Sequence, residues 1–170
     1  NYGGFLYHCG LTNINGAGDG EYYPLHGELP FAKYDKNYIE LGSDSIGEFV
    51  KICGEFIYRN SQDYFYKYCP KLTIRENSTI LEMNIDIENK RLNDLKYMFM
   101  CHMNWHGIDG SEFIYCADKE NVNPEIVEAW DDSERAKKLE QFSKLANEDS
   151  SLIDILDSER QFLNPEYCVN

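Results

Sequence analysis

Two histidines stand in short strings that combine an imidazole with turn or strand residues. His26 lies within the string 24–28 (PLHGE), after a stretch rich in Gly and Asp, and His102 follows the apolar run 97–101. The unperturbed pKa of imidazole is close to neutrality, so this side chain can donate and accept protons at cellular pH. We therefore predict an acid–base site, and its polar, aromatic-rich surroundings favour a sugar as the ligand.

Polar side chains recur at every second position after the apolar run. If the strand containing His102 continues, Asn104 and His106 project from the same face as His102. The preceding run is apolar on both faces, which predicts a central and buried strand. Cys101 and His102 point to opposite faces, so their side chains do not form a nucleophile–base pair. The row predicts a polar site at the end of a buried strand.

A metal site is the first alternative for these histidines. His102 and His106, together with His26 or His8, offer three ring nitrogens. Their spacing is loose and matches no dense zinc signature, so we expect no metal ion. No pair of carboxylates stands out among the many acidic residues as the acid and base of a glycoside hydrolase.

Length and charge restrict the class of protein. A chain of 170 residues predicts one domain. Its net charge of −14 opposes binding to nucleic acids and to anionic membranes, while a neutral sugar is indifferent to it. Mean hydropathy is −0.57, and no segment approaches the roughly 18 apolar residues of a spanning helix. The first residues lack a Met and a signal sequence, which favours a cytoplasmic protein entered partway through a domain.

The cysteines agree with that location. None of the six forms a C-x-x-C pair, so zinc-ribbon and thioredoxin-like sites are not expected. Most lie within apolar runs, which predicts buried, reduced thiols of the kind found in cytoplasmic proteins.

The elements that would position the histidines read as β-strands. Apolar and polar residues alternate along 49–56, 71–76 and 80–89, and turn residues such as Asn15-Gly16 and Asp109-Gly110 separate the runs. This pattern predicts an all-β, antiparallel sandwich or barrel. One segment differs: residues 131–134 can cap a helix that runs to about Ala146, which predicts a helical insertion near 132–146.

Several strings, in this order, resemble the galactose mutarotase (aldose 1-epimerase) superfamily, and in particular a mutarotase-like branch. They are Gly3–Leu6 leading into Cys9–Leu11, then Pro24–Gly27, then His102–Asn104. The resemblance covers about positions 1 to 118 and again 162 to 169. It implies part of an antiparallel β-supersandwich, forming a single domain over 1–170 that is incomplete at both ends. Strand edges left unpaired in such a domain favour a homo-oligomer.

The resemblance also implies an activity, the interconversion of sugar anomers without a cofactor. His102 matches the family histidine that protonates the ring oxygen, and His26 matches the histidine that holds and polarises the sugar. Glu166 falls near the acidic residue that binds ring hydroxyls, and Asn104, beside His102, is expected either to support the residues that contact the sugar or to bind a hydroxyl group itself. The glutamate that serves as the family's general base, and an arginine that contacts the sugar, have no matching positions.

Two other functions remain open from the sequence. A non-catalytic carbohydrate-binding module would use aromatic side chains such as Trp105, Tyr22 and Tyr23 to stack on sugar faces. Trp105 and His106 are expected to contact the sugar whether the protein is an isomerase or a carbohydrate-binding module. A metal-dependent β-barrel enzyme would instead use the four histidines as ligands.

Overall fold

The computed structural model describes residues 4–14, 24–60, 63–104, 106, 108–114, 116, 118, 121–122 and 124–157. Contacts between residues divide the chain into two compact units, Asn1–Asn104 and Trp105–Asn170. Each unit is described separately below. The single domain over 1–170 stays a prediction.

The first unit contains two antiparallel sheets. Its strands are β1 (Leu6–Leu11), β2 (Lys36–Asp44), β3 (Gly47–Arg59), β4 (Phe65–Arg75), β5 (Leu81–Asn89) and β6 (Met98–Met103). The larger sheet has the order β2-β3-β4-β5, and the smaller sheet pairs β1 with β6. A one-turn 3-10 helix, Leu29–Phe31, lies between β1 and β2. The expectation of a mostly antiparallel β protein with one helix is therefore confirmed for the described residues.

Alternation sorts the side chains of the larger sheet onto two faces. Ile52 pairs with Ile39 on one side and with Leu72 on the other, so their apolar side chains share one face. Lys51 pairs with Glu40 and Thr73, which places polar and charged groups on the opposite face. The predicted alternation along β3, β4 and β5 is confirmed.

The core of the first unit lies against one end of the apolar face. Its buried members come from β1, the 3-10 helix and β4: Leu11, Leu29, Tyr66 and Tyr68. Phe56, Ile87 and Phe99 pack around them. Burying aromatic rings supplies much apolar area, but each tyrosine hydroxyl then needs a hydrogen-bond partner.

The expected position of β6 is wrong. Among the described residues β6 pairs with β1, and Met98 and Met103 are 48% and 46% exposed, so the strand is neither central nor buried. Among the residues that the structure describes, β6 contributes only Phe99 to the core of the first unit. Both faces of β6 carry large apolar side chains, which is the pattern of a buried strand. The sequence pattern does not show which of the two faces is covered in the fold.

The cysteine side chains are less buried than expected. Cys9 and Cys53 are buried, Cys69 and Cys101 are half-buried, and Cys116 is exposed. All five are free thiols, and Cys168 lies outside the described residues.

The second unit contains the helix α1 (Glu134–Glu148). Ser133 caps it, since its hydroxyl oxygen accepts a hydrogen bond of 3.1 Å from the backbone N–H of Ala136. The predicted cap is confirmed, and the helix ends two residues beyond Ala146. Phe142 and Ala146 are buried against Ile153 of the 3-10 helix Ser150–Ile153. None of the helices in the described residues has the length and apolarity needed to cross a bilayer.

Candidate functional site

His26 occupies the third position of a tight turn. The backbone N–H of Gly27 donates to the carbonyl oxygen of Pro24 at 3.1 Å, and the φ angle of His26 is 67°. This left-handed conformation is uncommon for a residue with a side chain and costs roughly 1 kcal/mol or more. Two backbone hydrogen bonds hold it in place: His26 N–H donates to Ile14 at 3.0 Å, and Gly10 N–H donates to His26 at 2.9 Å.

The carbonyl group of Ile14, which accepts the backbone hydrogen bond of His26, also orients the ring of His26. Its Nδ1 lies 3.1 Å from the carbonyl oxygen of Ile14. A carbonyl oxygen can only accept, so Nδ1 carries the proton, and Nε2 is the basic nitrogen of the neutral ring. The turn thus presents an imidazole of defined tautomer.

Glycine at position 27 permits the turn to approach β1. Gly27 has a φ of 78°, and a Cβ added there would lie 2.5 Å from the carbonyl oxygen of Asn13 and 2.6 Å from that of Gly10. Both distances are shorter than a van der Waals contact, and both neighbours are backbone atoms. A larger residue would therefore push the His26 turn away from the strand.

Glu28 anchors the turn to both sheets. Its carboxylate accepts hydrogen bonds from the backbone N–H groups of Leu11 (2.9 Å) and Thr12 (3.2 Å), from the Thr12 hydroxyl and from the Tyr66 hydroxyl. Burial and the hydrogen bond to Glu28 both raise the pKa of Tyr66, so this hydroxyl remains a donor. Glu28 is not among the site residues predicted from the sequence, and its role in the structure is to position the turn.

His102 and His26 converge, as expected. Their ring centroids are 6.1 Å apart with an interplanar angle of 51°. His102 pairs with Tyr7 across the β1–β6 ribbon, and the two rings make an edge contact at 6.5 Å. A hydroxyl group that hydrogen-bonds to two nitrogens spans about 5–6 Å between them, a distance that this separation of the rings allows.

His8 belongs to the opposite face of β1 and to the core. Its Nδ1 lies 2.7 Å from the hydroxyl oxygen of Tyr68, which is fully buried. Burial lowers the pKa of His8 and raises that of Tyr68, so at neutral pH both groups are uncharged. This pair stabilises the interior and does not face the His26–His102 pair.

Asn104 follows the last residue of β6 and hydrogen-bonds to the residues that precede β1. Its side-chain amide donates to the carbonyl oxygen of Gly4 at 2.8 Å, and its backbone N–H donates to that of Phe5 at 2.7 Å. The binding of a sugar hydroxyl by Asn104 stays a prediction. His106 is exposed and lies beyond the end of β6, so the expected row of His102, Asn104 and His106 on one strand face is wrong.

The remaining candidates fall outside the described residues. These are Trp105 and Glu166, together with Tyr22 and Tyr23. Within the described part of the chain, His, Cys, Asp and Glu form no group of three or more that could hold a metal ion. The metal-dependent alternative therefore has no ligand set there.

A polar groove lies on the charged face of the larger sheet. It measures about 370 Å³ and is lined by Lys51, Lys71, Thr73, Arg75, Glu82, Asn84 and Asp86. Its cations are engaged in ion pairs: Lys71 with Asp86 at 3.3 Å and Arg75 with Asp44 at 2.9 Å. The groove contains neither His26 nor His102.

Comparisons with protein-family models, curated proteins and solved structures find no match for this chain. The likeness to the mutarotase superfamily therefore rests on the sequence motifs.

Proposed function

We propose that the His26–His102 pair is the acid–base site of a mutarotase-like isomerase that interconverts the anomers of a free sugar. The observation that carries this proposal is the approach of the two rings to 6.1 Å, although 76 residues separate them along the chain (102 − 26). The strained turn at His26 supports it, because backbone strain of this kind is concentrated at functional sites.

The chemistry needs one proton donor and one proton acceptor. His102, as the imidazolium, protonates the ring oxygen, while Nε2 of His26 takes the proton of the anomeric hydroxyl. The bond between C1 and the ring oxygen breaks and the C1–O1 bond becomes a carbonyl. Rotation about C1–C2 followed by the reverse steps gives the other anomer. Protons and electrons balance, so no redox partner is required.

Assigning the base to His26 departs from the role that the resemblance implies. The family's glutamate base has no matching position here, whereas the hydrogen bond from His26 Nδ1 to Ile14 leaves Nε2 as the basic nitrogen. Glu28 is a poor alternative base because its carboxylate already accepts from Leu11, Thr12 and Tyr66.

The test is the rate of anomer equilibration, followed by NMR or polarimetry, over a panel of free aldoses. The chain should accelerate equilibration of at least one sugar. His102→Gln and His26→Gln should each lower that acceleration by about 100-fold or more, the usual contribution of a general acid or base. Glu40→Gln, on the charged face of the larger sheet, is the control and should leave the rate unchanged.

The outcomes separate the alternatives. Sugar binding without acceleration, unaffected by His102→Gln, would support a non-catalytic carbohydrate-binding module instead. Equal loss of rate in Glu40→Gln and His102→Gln would contradict the assignment of the pair, and no acceleration of any sugar would refute the isomerase.

A further inference from the structure

Within the described part of the first unit, half of the apolar face of the larger sheet is exposed. The other half packs against the core through residues such as Phe56 and Tyr68. The uncovered half, called here the aliphatic patch, consists of exposed side chains from all four strands: Ile39, Leu41, Val50, Ile52, Ile74 and Leu81.

The members of the aliphatic patch are neighbours across the strands. Leu41 pairs with Val50, which pairs with Ile74, which in turn pairs with Leu81. Leu41 is 74% exposed and Ile39 is 67% exposed. Together the six side chains expose an area equal to about three free aliphatic residues, on the order of 600 Å², which matches the largest patches found on monomeric proteins.

We propose that a second copy of this chain covers the aliphatic patch, by packing sheet against sheet around a two-fold axis. Two such patches remove on the order of 1,200 Å² from water, which is the lower limit for a specific interface. The patch is self-complementary because every position in it is aliphatic, and a two-fold contact places the same surface on both copies. Sheets pack face to face in this way in β-sandwiches.

The distribution of charge on the sheet supports this occupant. Apart from Glu48 near the start of β3, the charged groups of these strands, including Lys51, Glu40 and Arg75, lie on the opposite face, where these three form ion pairs. No carboxylate or ammonium group of the patch would be buried on association. The net charge of −14 on each copy nevertheless repels the other over a long range, so salt should strengthen the dimer by screening.

Sedimentation over a range of protein concentration tests the proposal, at about 0.05 M and about 0.5 M salt. We expect a monomer–dimer equilibrium that shifts toward the dimer at the higher salt. Leu41→Lys places a charge in the interface on both copies and should raise the dissociation constant by at least about 100-fold. Ile39→Lys is a second variant with the same expectation.

Leu92→Lys is the matched control, since Leu92 lies beyond the opposite end of β5 and is 106% exposed. It makes the same chemical change outside the patch and should keep the wild-type dissociation constant. A chain that stays monomeric at both salt concentrations would overturn the proposal. So would a dimer that Leu41→Lys and Ile39→Lys weaken no more than Leu92→Lys does, which would indicate pairing through the strand edges instead. The proposal is independent of the isomerase activity.

Discussion

Replacing Glu28 by alanine should detach the His26 turn from both sheets. The carboxylate accepts from the backbone N–H groups of Leu11 and Thr12, from the Thr12 hydroxyl and from the Tyr66 hydroxyl. Alanine would leave all of these donors without their acceptor. Leu11 and Tyr66 are fully buried, so water cannot replace the carboxylate there unless the structure opens.

The size of the effect follows from those two buried donors. Each buried donor that loses its partner costs about 1–3 kcal/mol, so Glu28→Ala should lower the free energy of unfolding by about 2–6 kcal/mol, and a value of about 3 kcal/mol is used below. With a urea dependence near 1.5 kcal/mol per molar, the unfolding midpoint should fall by about 2 M. Such a loss is a large part of the stability of an ordinary domain, which is about 5–15 kcal/mol.

Urea unfolding followed by far-UV circular dichroism measures this change. Tyr66→Phe provides the second variant of a double-mutant cycle. The double variant has no Tyr66 hydroxyl left without an acceptor. The free energies of unfolding lost in Glu28→Ala and in Tyr66→Phe, added together, should therefore exceed the loss in the double variant by at least about 1 kcal/mol. Glu48→Ala, at an exposed position, should change the free energy by less than about 0.5 kcal/mol. Additive losses, or a Glu28→Ala effect as small as the Glu48→Ala effect, would refute the assigned role of Glu28.

Three further changes have defined outcomes. Gly27→Ala would put a Cβ 2.5 Å from the carbonyl oxygen of Asn13, and should cost about 2–3 kcal/mol in urea unfolding; a neutral result would show that the turn can shift freely. Burial lowers the pKa of His8 from 6.5, so the unfolded chain binds a proton that the folded chain does not. The free energy of unfolding should therefore fall as the pH drops below 6.5, and it should fall less in His8→Gln; equal pH profiles for wild type and His8→Gln would contradict this. Ser133→Ala should destabilise the helix by about 1 kcal/mol, seen as faster amide hydrogen exchange in its first turn, and unchanged exchange would refute the cap.

The strands and the helix could be predicted because their signals are local. Side chains alternate in β3 to β5 with period two, and a helix cap needs only the few residues around Ser133. Whether a strand face is covered depends on residues that are distant in the sequence. For this reason β6 was wrongly expected to be buried. Its apolar residues alternate between a face that packs on the core and a face that includes the half-exposed Met98.

The candidate site likewise has one part that local sequence motifs predict and another part that depends on the path of the chain. The motifs around His26 and His102 predicted that the two rings meet, and they do. The link from Glu28 to Tyr66 spans 38 residues and depends on the path of the chain, so no pattern in the sequence indicates it. Asn104 shares the motif with His102, yet the end of β6 turns its amide toward Gly4, a detail set by where the ribbon stops.

The central claim is that the rings of His26 and His102 face one sugar. NMR of the imidazole resonances during titration with the sugar that the chain equilibrates fastest is the most direct measurement. We predict that the resonances of both rings shift with a single dissociation constant, while those of His8, on the opposite face of β1, do not move. Shifts confined to one ring, different dissociation constants for the two rings, or resonances that stay in place would contradict the account.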